Sequence, residues 1–188
     1  MNDIIINPQP LPRTLYLNEV TQSTITALTR DINSINKHDE YLCDLMKLSD
    51  SIYKPKPILL YIDSYGGDAY AMFGFLNIME RSKVPIHTIV TGCAMSCGFI
   101  IAANGHKRFA HKYSTFMYHQ ISSWSHGKVE TIKEDLNESN RLMEVLYSNL
   151  TNKTKLKKAK LLSVDKNRSD WFMTSNEALD FGVIDNIL

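Results

Sequence analysis

Two neighbouring segments of the chain run through the same order of events: an apolar run of strand length, a turn containing glycine, and an apolar stretch at helical spacing. The first reads ILLYID, SYGG, AYAMFGFLNIME from Ile58, and the second reads VPIHTIV, GCAMSCG, FIIAA from Val84. Strands that alternate with helices build parallel βαβ units, whose crossovers are right-handed. Ligands of such α/β sheets bind where the strands end and the turns begin. Both glycine turns stand at such ends, so they are the places to look for chemistry.

The rest of the chain fits around this pair. TLYLNEV (14–20) is expected to be a strand, and Thr21 to about Leu48 has irregular helical spacing interrupted by NKHDE, which predicts a helix that is broken or extended by an insertion. STFMYHQ is a third strand, ending near His119, and ISSWSHG is a polar loop. Val129, Ile132, Leu136, Met143, Leu146 and Leu150 recur at mostly helical intervals and predict a long amphipathic helix. Near the C-terminus Thr174 or Ser175 caps a helix from Asn176 to Phe181, with Gly182 as its stop. With 188 residues, the chain is read as one domain, 1–188.

Composition removes several classes of function. A net charge of +1 lacks the surplus of a nucleic-acid binder. The lysine run KTKLKKAK has no interleaved aromatics, and it is read as a solvated helical face. Three cysteines, Cys43, Cys93 and Cys97, form neither a disulfide framework nor a zinc cluster, which fits a reducing cytoplasm. Cys93 and Cys97 are too far apart in sequence for a redox dithiol motif. The uncharged window Thr88–Gly105 is interrupted throughout by Thr, Ser, Gly and Asn, so it is read as a buried strand and helix, with no membrane partner. The N-terminus, MNDIIINPQP, carries no export signal. No phosphate-binding loop is present, and no metal or other cofactor is expected.

The second turn places Ser96 at the head of a helix, where the Cys97 N–H has no partner within the helix. Gly66 and Gly67 allow close backbone approach, and the N–H groups of Gly67 and Cys97 are placed to hold an oxyanion on a carbonyl attacked by Ser96. A serine nucleophile needs a base, and His119, at the end of a core strand, is the histidine positioned for it. The imidazole needs an orienting carboxylate; Asp165, Asp170, Asp180 and Asp185 are candidates, and spacing does not choose among them. Cys93 and Cys97 are read as small buried side chains, and a helix N-terminus is a position that can lower the thiol pKa of Cys97.

In order and approximate spacing, YIDSYGGDAYAMFGFLNIM, GCAMSCGFIIAANG, FMYHQ and SDWFMTSNEALDFGVIDNIL resemble the ClpP family of self-compartmentalised serine peptidases, from about Arg13 to the last residue. The resemblance implies Ser96 as nucleophile, His119 as general base, Asp170 as the orienting acid, and Gly67 and Cys97 as oxyanion donors. It implies a ClpP/crotonase-like α/β fold of repeated ββα units with a protruding handle strand and helix (about 120–150). It also implies heptameric rings stacked in pairs, that is, a tetradecamer, and peptide or unfolded protein as substrate. The segment 1–12 is shorter than in bacterial members, which engage an AAA+ ATPase unfoldase through theirs; the resemblance implies that partner and the short segment argues against it. The compactness is in keeping with a viral or divergent copy. Tyr65 replaces the family's proline before the two glycines, and Ile121-Ser122-Ser123-Trp124 replaces its glycine-rich turn. Two other readings compete: a non-catalytic ring subunit, and an acyl-CoA enzyme of the crotonase type, which shares the oxyanion pair but needs no Ser96 with His119.

Overall fold

The structure is a computed structural model that describes residues 11–48, 51–122 and 126–188. Residues 1–10 of the N-terminal segment, and Ser123 and Trp124 of the loop after His119, lie outside the described residues. Those described form β1 (Thr14–Leu17), α1 (Gln22–Lys47), β2 (Ile58–Ser64), α2 (Ala69–Arg81), β3 (Ile86–Met95), α3 (Cys97–Ala103), β4 (Lys107–Ala110), β5 (Thr115–Tyr118), α4 (Val129–Lys153), α5 (Lys158–Lys166), β6 (Trp171–Thr174), α6 (Ser175–Asp180) and β7 (Asn186–Ile187). This is an α/β arrangement. A parallel path runs β1-β2-β3-β4-β7, and β5 joins β3 in parallel while pairing with β6 in antiparallel fashion. Among the described residues 120–122 and 126–128 no handle strand forms.

Both strand–turn–helix units form, β2 to α2 and β3 to α3. Ile58, Leu60 and Ile62 of β2 are fully buried, as are Ile86 and Val90 of β3. Each such side chain contributes about 1.5–3 kcal/mol relative to an exposed position. Every residue of α3 is buried, and Phe99 packs its ring 6.0 Å from that of Tyr118 in β5. The helix behind Ser96 is therefore anchored to the strand that leads to His119.

Helix α1 corrects the expectation of a break at NKHDE. Ile25, Leu28, Ile32, Ile35 and Asp39 are its buried residues, an unbroken 3–4 spacing whose last member is charged. Asp39 completes the stripe because Arg13 and Tyr53 satisfy it: Arg13 Nη1 donates to Oδ2 at 2.8 Å, Arg13 Nη2 and Tyr53 Oη donate to Oδ1, the latter at 2.9 Å. Thr21 caps the helix by accepting from the Thr24 N–H at 3.1 Å.

Strand β3 corrects a second expectation, because it continues through GCAM instead of ending before it. Its register with β2 runs to Ile62↔Val90 and resumes at Ser64↔Ala94, so Thr91, Gly92 and Cys93 stand opposite Asp63 alone. Asp63 Oδ1 accepts the Cys93 N–H at 2.9 Å. A Cβ on Gly92 would lie 2.3 Å from that same oxygen, so the glycine makes room for the carboxylate. Beyond the bulge β3 changes partner from β4 to β5, with Met95 opposite Met117. Only Ser96 remains as the turn.

At the C-terminal end, Thr174 and Glu177 form a reciprocal capping box at the start of α6, which runs Ser175–Asp180 with Phe181 as its C-cap. Gly182, at φ +66, ends it as expected. Helix α4 divides in two: Leu142, Met143, Leu146, Tyr147 and Leu150 are buried, whereas Val129, Ile132 and Leu136 are exposed. The lysine run contributes to α5, where Leu161, Val164 and Asp165 face inward. Among the described residues no helix is long and apolar enough to cross a membrane.

Candidate active site

The partner change in β3 brings Ser96 to the end of β5. The Ser96 N–H donates to the Met117 carbonyl at 2.9 Å, and the Ser96 Oγ lies 2.8 Å from His119 Nε2. Both residues are half-buried. This is hydrogen-bond distance between a hydroxyl and the imidazole nitrogen that would take its proton. Ser96 holds φ 52 and ψ −122, a strained conformation for a residue with a side chain. Such strain costs about 1–3 kcal/mol and gathers at functional sites.

The first glycine turn leans directly onto this one. Gly66, at φ +106, is so close that a Cβ there would lie 2.8 Å from Ser96 Cβ, 2.9 Å from the Met95 carbonyl oxygen and 3.1 Å from the Cys97 nitrogen. Ser64 Oγ accepts the Gly66 N–H at 3.1 Å. Val20 donates its N–H to the Gly66 carbonyl at 2.9 Å and accepts from the Asp68 N–H at 2.7 Å. This parallel bridge, Val20↔Gly67, engages the neighbours of Gly67 and leaves its own N–H to the other side. The Cys97 thiol donates to the Gly67 carbonyl at 3.3 Å, tying together the two residues expected to bind the oxyanion. Val20, the end of TLYLNEV, was not singled out in the sequence; its only local signal is the strand pattern that precedes it.

Cys93 and Cys97 are both buried, and the helix N-terminus does not lower the Cys97 thiol. Burial pushes the Cys97 thiol up, more than its bonds to Gly67 and Ser96 pull it down. The side chain is therefore a neutral donor in the turn.

The four carboxylates now separate. Asp185 is engaged by Arg108, whose Nε donates to Oδ2 at 3.2 Å and whose backbone N–H donates to the same oxygen at 2.8 Å. Asp180 is exposed at the end of α6. Asp170 is exposed, just before β6; the β5–β6 register ends at Tyr118↔Trp171, so one further step sets Asp170 across from His119. Asp165 is buried and bonded to Tyr118 and Tyr147. The geometry thus brings Ser96 and His119 into direct contact and sets Asp170 at the register position opposite His119, without a hydrogen bond between those two. Among the described residues no group of three or more His, Cys, Asp or Glu is placed to hold a metal ion.

The sequence model of the Clp protease family matches residues 14–188. A protein of Borrelia garinii named ATP-dependent Clp protease proteolytic subunit is 34% identical over 173 residues, covering 91% of this chain and 87% of its own. Proteins of the same name from Deinococcus radiodurans and Porphyromonas gingivalis are 34% and 31% identical, covering 75% and 80% of this chain and 69% of each relative. These relatives are bacterial, and they lend no support to a viral source. The match spans every element that builds the site, from β1, which leads to Val20, through the Ser96–His119 pair to the strand after Asp170, and on it the chain belongs to the Clp protease family of serine peptidases.

Proposed function

We propose that the chain is an endopeptidase that hydrolyses peptides or unfolded proteins through an acyl-enzyme on Ser96, inside a chamber built from copies of itself. One observation carries this reading: Ser96 Oγ is 2.8 Å from His119 Nε2. In this mechanism His119 takes the hydroxyl proton as Ser96 Oγ attacks the scissile carbonyl. The N–H groups of Gly67 and Cys97 hold the oxyanion, and Asp170 accepts from His119 Nδ1 and fixes its tautomer. The tetrahedral intermediate collapses when His119 protonates the leaving amine. Water, activated by the same imidazole, then releases the acyl group.

The substrate enters as an extended strand, recognised chiefly through its main chain. Residues 1–188 act as one peptidase domain. The exposed apolar positions Val129, Ile132 and Leu136 of α4 support a handle that packs against another copy, in paired heptameric rings. The relatives carry the words ATP-dependent in their names; an AAA+ unfoldase delivering the substrate is the partner the resemblance implies for this reading, and the short segment before β1 argues against it. The test is hydrolysis of a fluorogenic peptide by the wild-type protein and Ser96→Ala. A loss of about 10⁴-fold or more in kcat/KM is expected. Equal hydrolysis by both would refute the reading, and an inert, well-assembled wild type would support a non-catalytic ring subunit.

A further inference from the structure

Gly67 stands between two residues that grip its peptides from opposite sides. A trans peptide points its carbonyl and its N–H in opposite directions. In the peptide that enters Gly67, the Gly66 carbonyl accepts from the Val20 N–H at 2.9 Å, so the Gly67 N–H faces away from Val20. In the peptide that leaves it, the Asp68 N–H donates to the Val20 carbonyl at 2.7 Å, and the Gly67 carbonyl faces away and accepts from the Cys97 thiol at 3.3 Å. Val20 is fully buried, and a Cβ on Gly67 would lie 2.2 Å from its carbonyl oxygen, so this side is fixed by backbone. The other side is held by the Cys97 side chain, about 7% exposed at the head of a helix wedged against β2: a Cβ on Gly98 would lie 3.1 Å from the Ser64 carbonyl oxygen. Neither the Gly67 N–H nor the Cys97 N–H has a partner among the described residues.

We propose that Cys97 is, through its thiol, a positioning residue for the oxyanion: its hydrogen bond to the Gly67 carbonyl holds the Gly67 N–H and the Cys97 N–H on one developing charge. The inference rests on the peptidase reading of the same site. Glycine leaves the torsions on either side of Gly67 wide, and a donor stabilises the oxyanion only from about 2.7–3.1 Å, so a tie on that carbonyl decides whether the second donor is in place. The thiol also covers a dipole. The Gly67 carbonyl faces the same side as the Gly67 N–H, and without its donor its negative end would stand bare beside the oxyanion. That cost arises only as the charge develops, so it falls on kcat and leaves KM. Burial pushes the Cys97 thiol up, so it stays protonated and donating at neutral pH.

The experiment compares kcat and KM on a fluorogenic peptide for the wild type, Cys97→Ala and Cys97→Ser, with light scattering to follow assembly. Cys97→Ala removes the donor, and kcat should fall about tenfold with KM within about twofold of the wild type. Cys97→Ser restores a donor on a shorter stem and should recover most of that loss, to within about threefold of the wild type. A merely structural role ranks the two the other way, because a buried cysteine behaves as a small apolar side chain and alanine is then the milder change. Cys97→Ser no more active than Cys97→Ala, an undiminished kcat in Cys97→Ala, or a loss carried by KM overturns the proposal. If Cys97→Ala fails to assemble, the isosteric pair Cys97→Thr and Cys97→Val decides: the threonine variant should exceed the valine variant several-fold in kcat, and equality refutes the proposal. An assembled wild type that hydrolyses nothing strikes the peptidase reading instead, and the two failures are thereby distinguished.

Discussion

Replacing Gly66 by alanine tests how closely the two glycine turns are fitted. The added Cβ would lie 2.8 Å from Ser96 Cβ and 2.9 Å from the Met95 carbonyl oxygen. Two carbons in comfortable contact stand about 3.5–4.0 Å apart, so the turns must separate by roughly 0.7 Å or more. The neighbour is not the tip of a flexible chain: Ser96 is held by its N–H bond to Met117 and by α3, all of which is buried. A displacement of that size takes Ser96 Oγ from 2.8 Å to beyond hydrogen-bond reach of His119 Nε2. Misplacing a reacting atom by about 1 Å costs on the order of 100-fold in rate. The backbone adds to this, since φ +106 suits glycine and costs alanine about 1–3 kcal/mol. Gly66→Ala is therefore expected to lower kcat/KM on a fluorogenic peptide about 100-fold and to lower the melting temperature. Gly74→Ala is the matched control, because a Cβ there meets nothing within 4 Å in the middle of α2. It should leave kcat/KM unchanged and stabilise by about 0.5–1 kcal/mol. A folded Gly66→Ala protein with undiminished activity would refute the reasoning, because Ser96 would then not depend on the fit of the two turns.

Other predictions concern the acids and the buried ion pair. Asp170→Asn should lower kcat by about 10³- to 10⁴-fold through the wrong imidazole tautomer, whereas Asp180→Asn should leave it unchanged; steady-state kinetics on the two variants decides. The Asp39 carboxyl is held below its usual range: burial pushes it up, and the Arg13 and Tyr53 hydrogen bonds more than offset that. Its stabilisation is therefore present above the unfolded carboxylate range and lost as pH falls through the lower, folded value. Arg13→Ala should cost about 3 kcal/mol at neutral pH and abolish that acid loss, as read by urea titrations between about pH 2 and 7. The Asp165 carboxyl is shifted the opposite way, so its ionisation opposes folding as pH rises above the unfolded value. Asp165→Asn should accordingly raise the melting temperature at neutral pH, and a lowered one would contradict the assignment of its charge as a cost to stability.

Much of this architecture could be read from local pattern, and its failures share a cause. β2, α2, α3 and α4 announce themselves through apolar runs or 3.6-residue spacing, because each of the first three and the C-terminal half of α4 buries a continuous face. α1 looks broken only while Asp39 is taken as polar surface; its partner Arg13 lies 26 residues away, where no local window reaches. β4 reads KRFA and is hidden by its charges. Arg108 nevertheless belongs there, since its Nη1 donates to the carbonyls of Lys153 at 2.7 Å and Gly182 at 2.8 Å, closing the sheet against the end of α4 and the turn after α6. The extension of β3 through GCAM depends on Asp63 filling the space left by Gly92, a contact between strands. In the site, Ser96 and His119 were legible from their positions at the ends of a turn and a strand. Their contact arises from the partner change of β3; the positions of the four carboxylates, Asp170 opposite His119 in the β5–β6 register and Asp165 buried, likewise depend on contacts between elements that no local pattern shows.

The central claim is that Ser96 is an activated nucleophile. Intact-mass analysis after treatment with a fluorophosphonate, on the wild-type protein and on Ser96→Ala, with light scattering of the same samples, tests it most directly. A single adduct on the wild type in a large oligomer, absent from the variant, is the predicted result. An assembled wild-type protein that takes no adduct, or a variant labelled equally well, would contradict the account.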